Sequence, residues 1–272
     1  MVLIKEKYRK GLSKKESFLI STLAGRDKKI FTIDEAEAIL GKYAKKFMSS
    51  LIKKRWVLPL KRGLYAIVPL DIGVKGAESF IIHDFVIASY LVEPYYISFW
   101  SALNYHGLSD QIPTTVFIST TKAKPPLNIL NTKFLFVQVS RDKFVGIEIV
   151  EIEGHRINIS DKNKTVADCL DHPEHSGGID EVARAIYFNH EELDFGKIRE
   201  YALKMRNMTI FKRLGYILER TDLLEKYGWI FRGVKLSKGY SRLDKIGPKK
   251  GTHNEKWKLL VNVDINPERW MY

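Results

Sequence analysis

Lysine and serine side chains recur along one segment at a spacing suited to contacting a polyanion. We single out nine side chains between residues 42 and 62 as candidates to donate hydrogen bonds or positive charge: Lys42, Lys45, Lys46, Ser49, Ser50, Lys53, Lys54, Lys61 and Arg62. We expect the four from Lys45 to Ser50 to face bases or backbone, and the four from Lys53 to Arg62 to hold phosphates. The predicted helix face lacks Arg, Asn and Gln, the usual bidentate base readers, so we expect either modest sequence specificity per half-site or specificity that depends on the turn at Lys61 and on DNA shape.

Three glutamates around a predicted strand offer a second kind of chemistry. Glu148, Glu151 and Glu153 are close in sequence, and the last two fall on one face of a strand. Nucleotidyltransferases and many nucleases hold Mg²⁺ with such a carboxylate pair. The chain has no Gly-Ser phosphate loop upstream and no Glu-x-Lys companion. We therefore favour solvated strand glutamates and expect no catalytic residues, with an enzyme as the alternative.

Potential metal ligands cluster between residues 168 and 175. They are Asp168, Cys169, Asp171, His172 and His175. Their spacing matches no zinc signature, and Pro173 breaks the helix between the two histidines, which predicts that these do not share a helix face. We expect neither a metal nor another cofactor here. No pattern typical of a catalytic triad surrounds Cys169, so we expect a small buried apolar side chain rather than a nucleophile.

The lysine segment lies in a basic head that reads as three helices and a hairpin. Residues 1–70 contain 17 Lys and Arg against 6 Asp and Glu, a net charge of +11 out of +13 for the whole chain. Capping boxes at Ser13 and Thr32 open two helices, and a third runs over about 43–55 with apolar residues at helical spacing. Two strands around a turn at 61–63 follow. This order predicts a winged helix-turn-helix DNA-binding domain.

Charge and composition divide the remaining sequence into further parts. Residues 71–79 are rich in glycine and read as a linker. The pattern of residues 80–234 predicts an α+β domain that begins with helices and strands and has a helical C-terminal part. Residues 235–272 form a basic C-terminal extension of net charge +5, part of which we expect to pack through its tryptophans. The predicted fold class is therefore α+β, with an N-terminal winged helix-turn-helix and a helical C-terminal part.

The composition also restricts the location of the chain. A single cysteine among 272 residues excludes an internal disulfide and favours a reducing cytoplasm. The N-terminal residues lack the apolar core of a signal peptide. The most apolar stretch, residues 80–92, is too short and too polar to span a bilayer. We predict a cytoplasmic protein without a membrane partner.

Two stretches of the middle region resemble a known family. These are Ser98-Phe-Trp-Ser-Ala-Leu-Asn-Tyr-His-Gly-Leu-Ser-Asp-Gln-Ile-Pro113, and Asp161-Lys-Asn-Lys-Thr-Val-Ala-Asp-Cys-Leu-Asp-His-Pro173 followed by Gly177-Gly178-Ile-Asp-Glu-Val182. They are similar to the AbiEi antitoxins of type IV toxin–antitoxin systems, which act in abortive infection, and the resemblance covers roughly residues 10–230.

The resemblance implies two activities and two partners. The N-terminal winged helix of this chain would bind an inverted repeat in double-stranded promoter DNA and so repress the operon that encodes the chain. Its C-terminal domain would counteract a nucleotidyltransferase toxin without a stable physical contact. Two alternatives stay open at this point: a nucleic-acid-directed nucleotidyltransferase or nuclease, and a winged-helix transcription factor that senses a ligand.

Overall fold

The fold, taken from a computed structural model, is described for residues 9–70 and 82–271. The chain divides into two compact units. The first comprises the residues up to His83 together with Ile129–Asn131, and the second comprises Asp84–Asn128 and the residues from Thr132 onward. The predicted linker 71–79 lies outside the described residues. Helices and sheets occur together in the described ranges, which confirms the α+β class.

The first unit combines three helices with a small antiparallel sheet in its described part. Its elements are α1 (Lys14–Gly25), β1 (Ile30–Thr32), α2 (Ile33–Leu40), α3 (Ala44–Lys53), β2 (Val57–Lys61) and β3 (Leu64–Ile67). A 3₁₀ turn over Gly41–Tyr43 joins α2 to α3. The strands lie in the order β1-β3-β2, so the hairpin predicted around residues 61–63 is one side of a three-stranded sheet.

Both predicted capping boxes are confirmed at the helix starts. The Ser13 hydroxyl accepts from the Glu16 backbone N–H, and the Glu16 carboxylate accepts from the Ser13 N–H. Thr32 and Glu35 repeat this exchange at α2. Each box satisfies backbone donors that a helix start otherwise leaves unpaired. The resulting helices enclose a core that includes Leu19, Phe31 and Leu51.

The second unit is built on a mixed sheet of six strands in its described part. The strands are β4 (Tyr95–Ile97), β5 (Thr115–Thr120), β6 (Leu127–Ile129), β7 (Thr132–Gln138), β8 (Ile147–Ile152) and β9 (His155–Ser160). Their order is β6-β7-β5-β4-β9-β8. The β5–β7 and β4–β9 pairs are parallel, whereas β4–β5 and β8–β9 are antiparallel. The strand β4 was not predicted, although it joins the two halves of this sheet.

Helices supply most of the interior of the second unit. They are α4 (Asp84–Ser89), α5 (Phe99–Tyr105), α6 (Lys162–Asp171), α7 (Ile179–Asn189), α8 (Phe195–Lys204), α9 (Met208–Arg220) and α10 (Leu224–Tyr227). The apolar faces of α5 to α10 meet in one core, to which α6, α7 and α9 all contribute. The described part of the helix predicted over 80–92 is shorter than expected and is limited to α4.

Residues 235–271 belong to the second unit rather than forming a separate extension. They contain β10 (Ser241–Arg242), β11 (Thr252–Asn254) and β12 (Leu259–Val261), which form a small sheet in the order β10-β12-β11. Leu243, Trp257, Leu259 and Ile265 are buried in the core made by the helices. In the two described ranges, 9–70 and 82–271, no helix has both the length and the apolar character needed to cross a membrane.

Candidate nucleic-acid interface

Helix α3 separates its apolar and cationic side chains onto opposite faces. Ala44, Met48 and Leu51 are buried in the core of the first unit. The exposed residues of the helix and of the turn before it include Lys42, Lys45, Lys46, Ser49 and Lys53. At 3.6 residues per turn, the positions from Lys45 to Lys53 in this set fall within an arc of about 100° opposite the buried stripe. The sequence pattern therefore presents one outward basic face.

Two of the nine predicted contact residues face the interior of the unit instead. The Lys54 ammonium lies 2.6 Å from the Glu16 carboxylate, which is 2% exposed, and Ser50 also hydrogen-bonds to that carboxylate. Burial alone raises the pKa of Glu16, but hydrogen bonds from Lys54, Ser50 and Ser13 outweigh it and lower this pKa to about 2. Lys54 and Ser50 therefore hold α3 against α1, and we remove them from the proposed interface.

The hairpin turn presents its arginine to solvent. Arg62 is exposed and Lys61, the last residue of β2, is half-buried. Gly63 has a φ of +79°, the left-handed conformation that the turn was expected to need. The Gly63 carbonyl accepts from the Ile33 N–H at 2.8 Å, so the turn is tied to the first residue of α2.

An aromatic side chain at the start of α3 was missed by the sequence argument. Tyr43 is 68% exposed and directly follows Lys42. The Lys15 ammonium of α1 lies 6.0 Å from the ring centroids of both Tyr43 and Phe47. The basic face of α3 therefore continues through Tyr43 to α1. The adjacent pair Lys14-Lys15, directly after a capping serine, was the signal in the sequence that could have indicated this.

The described part of the basic head carries an excess of positive charge. Residues 9–70 contain 15 Lys and Arg against 5 Asp and Glu. Three of the acidic groups contact lysines: Glu16 pairs with Lys54, Glu35 lies 2.7 Å from Lys28, and Glu37 lies 3.5 Å from Lys45. The Glu37–Lys45 pair is exposed on both sides, and exposed pairs of this kind exchange readily for other partners.

The glutamates considered for Mg²⁺ lie on an exposed edge. Glu148 and Glu151 are on β8, the last strand of the sheet, and both are exposed. Glu153 is outside the strand, in a turn where its φ is +51°. The expectation that Glu151 and Glu153 share one strand face is therefore wrong, because β8 ends at Ile152. None of the three belongs to a cluster of metal-ligand side chains within residues 9–70 and 82–271.

The segment 168–175 is divided between the core and a half-buried turn. Asp168 and Cys169 are buried, and burial raises the pKa of the Cys169 thiol, which disfavours a nucleophilic thiolate. His172 and His175 are half-buried, and the 3₁₀ turn Pro173–His175 that follows α6 brings them close together. The helix ends before Pro173, so the two histidines do not share a helix face, and the 3₁₀ turn that begins at Pro173 brings their rings to 5.8 Å.

The residues that carry the family resemblance build the interior of the second unit. Lys164 is fully buried, and its ammonium contacts the Asp168 carboxylate and the Tyr96 hydroxyl. The Ser160 and Thr165 hydroxyls are 2.7 Å apart, and His106 Nε2 is 2.7 Å from the Ser160 carbonyl. These polar groups link α5 and α6 to β9. The contacts made by Lys164, Thr165 and His106 therefore account for packing.

Comparisons with known proteins bear on the fold. No protein-family model and no curated protein matches the chain. A solved structure, that of the RV2827C protein from Mycobacterium tuberculosis, is similar to it with a TM-score of 0.67. The sequence identity is 12%, and the similarity covers 94% of each chain. At this identity the likeness establishes a shared fold across both units and says nothing of a shared activity.

Proposed function

We propose that this chain is a DNA-binding transcriptional autorepressor whose first unit is a winged helix-turn-helix. The observation that carries the proposal is the outward basic face of α3, formed by Lys42, Lys45, Lys46, Ser49 and Lys53. A helix that follows a second helix after a short turn, and precedes a hairpin, is the element that such domains insert into the major groove.

The described geometry supports a division of labour within this interface. Ser49 lies in the middle of the face and is short enough to reach base edges while the lysines beside it reach phosphates. Arg62 at the hairpin turn is placed on the element that contacts the backbone or minor groove in winged domains. Tyr43 and Lys15 add an aromatic and a cationic contact at the start of α3.

Salt-dependent binding to the chain's own upstream DNA tests this proposal. Each phosphate contact contributes roughly 0.9 to the slope of log affinity against log salt concentration. The double variant Lys45→Ala/Lys46→Ala is therefore expected to bind more weakly and to lower the magnitude of this slope by about 1 to 2. Fluorescence anisotropy over a series of salt concentrations measures both quantities.

A matched variant in the second unit controls for the loss of two charges. Lys197 and Lys204 are exposed lysines of α8, so Lys197→Ala/Lys204→Ala changes the net charge equally away from the proposed interface. We expect its affinity and slope to remain close to those of the unmodified protein. Equal effects of the two double variants, or none from either, would remove α3 from the interface.

We propose further that the second unit carries antitoxin activity against a nucleotidyltransferase toxin in an abortive infection system. The support is the resemblance of residues 98–113 and 161–182 to AbiEi antitoxins.

Co-expression with a nucleotidyltransferase toxin of this system tests the antitoxin activity. Growth restored by the unmodified chain supports it, and growth arrest that persists contradicts it. The variant Lys45→Ala/Lys46→Ala is expected to restore growth as well when both genes are expressed from promoters that it does not regulate. This outcome separates toxin neutralisation from repression.

A further inference from the structure

A cluster of nitrogen and oxygen ligands lies at the end of α6, within the second unit. His172, Glu174 and His175 each place one ligand atom within 4.8 Å of the other two. The histidine rings are 5.8 Å apart at an interplanar angle of 22°, and Phe99 packs against the edges of both. Two imidazoles and one carboxylate form a donor set typical of zinc sites with an open fourth position.

A second carboxylate fixes the orientation of the first histidine. Asp171 Oδ2 lies 3.5 Å from His172 Nε2, and Asp171 is itself 3% exposed and held by Lys143 and Asn207. Carboxylates orient metal-bound histidines in the same way.

The Nδ1 atom and the glutamate converge on a cation. His172 Nδ1 lies 3.0 Å from Glu174 Oε1. The ammonium of Lys245 bridges them, at 2.9 Å from Glu174 Oε1 and 3.2 Å from His172 Nδ1. The ammonium therefore lies beside two of the three residues of the cluster.

Lys245 leaves part of the Glu174 carboxylate without a hydrogen-bond partner. Glu174 Oε2 is buried and has no hydrogen-bond partner among the described residues. The Lys245 side chain is 34% exposed, so its ammonium can turn into water at little cost. A divalent ion would bind one nitrogen of each imidazole and the carboxylate together.

We propose that His172, Glu174 and His175 form a Zn²⁺ site in which the Lys245 ammonium holds the position of the metal and is displaced when Zn²⁺ binds. Zinc ligands at about 2.0–2.1 Å from the metal are separated by about 3.3 Å, so the ligand atoms need to move together by about 1.5 Å at most. Side-chain rotations in a half-buried turn supply movements of this size. Imidazole and carboxylate ligands favour Zn²⁺ over Mg²⁺ and Ca²⁺.

Metal titration of untagged, full-length protein tests this site. The protein is first stripped with a chelator, then titrated with Zn²⁺ against a chromophoric competitor and with Co²⁺ for the visible absorption of a tetrahedral complex. We expect about one ion per chain, and His175→Ala and Glu174→Gln should weaken binding by more than the roughly tenfold typical of losing an outer partner. His253→Ala, which removes an exposed histidine of β11, serves as the control.

The lysine variant makes the test independent of folding defects. Lys245→Ala is expected to bind Zn²⁺ more tightly than the unmodified protein, because the competing ammonium is gone, and a misfolded variant would not gain affinity. Stoichiometric binding that responds to these variants in this order supports the site. Binding that is absent, or that is unchanged in His175→Ala and Glu174→Gln, overturns it.

Discussion

The indole of Trp257 lies directly over Gly215 on α9, so close that a Cβ at position 215 would be 2.0 Å from the ring. The Trp257 Nε1–H donates to the Glu219 carboxylate at 2.6 Å, one helical turn further along the same helix. These two contacts fix the C-terminal segment to the core of the second unit. Glycine at position 215 thus leaves room for the ring, whereas a side chain at this position would collide with it.

The variant Gly215→Ala is expected to destabilise the second unit. Alanine gains about 1 kcal/mol in helix propensity over glycine, but overpacking a core typically costs about 1–3 kcal/mol, and here the added atom meets a rigid ring. We therefore expect a lower melting temperature in thermal unfolding and a changed tryptophan emission.

Two further variants isolate the contact. Gly239 has open space around its Cβ position, so Gly239→Ala should leave the melting temperature nearly unchanged. In a Trp257→Ala background the added methyl group meets no ring, and Gly215→Ala should then be neutral or stabilising. A Gly215→Ala protein as stable as the unmodified one would show that Trp257 does not pack here.

Short-range patterns allowed much of the fold to be predicted, and long-range contacts account for what was missed. The capping boxes at Ser13 and Thr32 and the strand at 147–152 depend on residues a few positions apart. Strand β4 has only three residues, and its extended form depends on pairing with β5 and β9. No local pattern encodes such pairing.

The candidate interface shows the same limit. Helical spacing correctly placed Lys45, Lys46 and Ser49 on an exposed face, because that face is a property of the helix alone. The contact of Lys54 with Glu16 joins residues 38 positions apart, and a buried glutamate on α1 was not expected from its sequence. An outward lysine and a lysine that pairs with a buried acid look alike in sequence.

Acid is expected to destabilise the first unit through Glu16. Its pKa in the folded protein is about 2 and its ordinary value is 4.5, so the folded state favours the ionised form. The resulting stabilisation is fully present above pH 4.5 and is lost as the pH falls towards 2, amounting to about 3 kcal/mol at most. Unfolding followed by circular dichroism at several pH values measures this loss.

Substitution of the two partners checks that this pH dependence comes from the Glu16–Lys54 contact. Glu16→Gln and Lys54→Met should each lower stability at pH 7 and flatten its dependence between pH 4.5 and 2. Glu37→Gln, at a more exposed glutamate of α2, should keep the dependence intact. Lys54→Met should also leave the salt slope of DNA binding unchanged, in contrast to the α3 double variant. A reduced slope in Lys54→Met would return this lysine to the interface.

Lys164 is expected to be needed for the stability of the second unit, because it neutralises Asp168 in the core. Lys164→Met leaves the buried carboxylate without its cation, a change that costs about 3–5 kcal/mol in comparable pairs. Burial already raises the pKa of Asp168 and Lys164 lowers it, so the variant raises this pKa further. As the pH rises, Asp168 ionises in the unfolded state before it does so in the folded variant, and the stability loss should therefore be greater at pH 8 than at pH 5.

Two further variants test this assignment. Lys164→Met/Asp168→Leu should regain most of the lost stability and should no longer show the pH dependence. Lys162→Met, at a solvent-exposed ion pair on the same helix, should change stability by less than about 1 kcal/mol. Chemical denaturation of the four proteins at both pH values measures the coupling, and a double variant no more stable than Lys164→Met would contradict the assigned role.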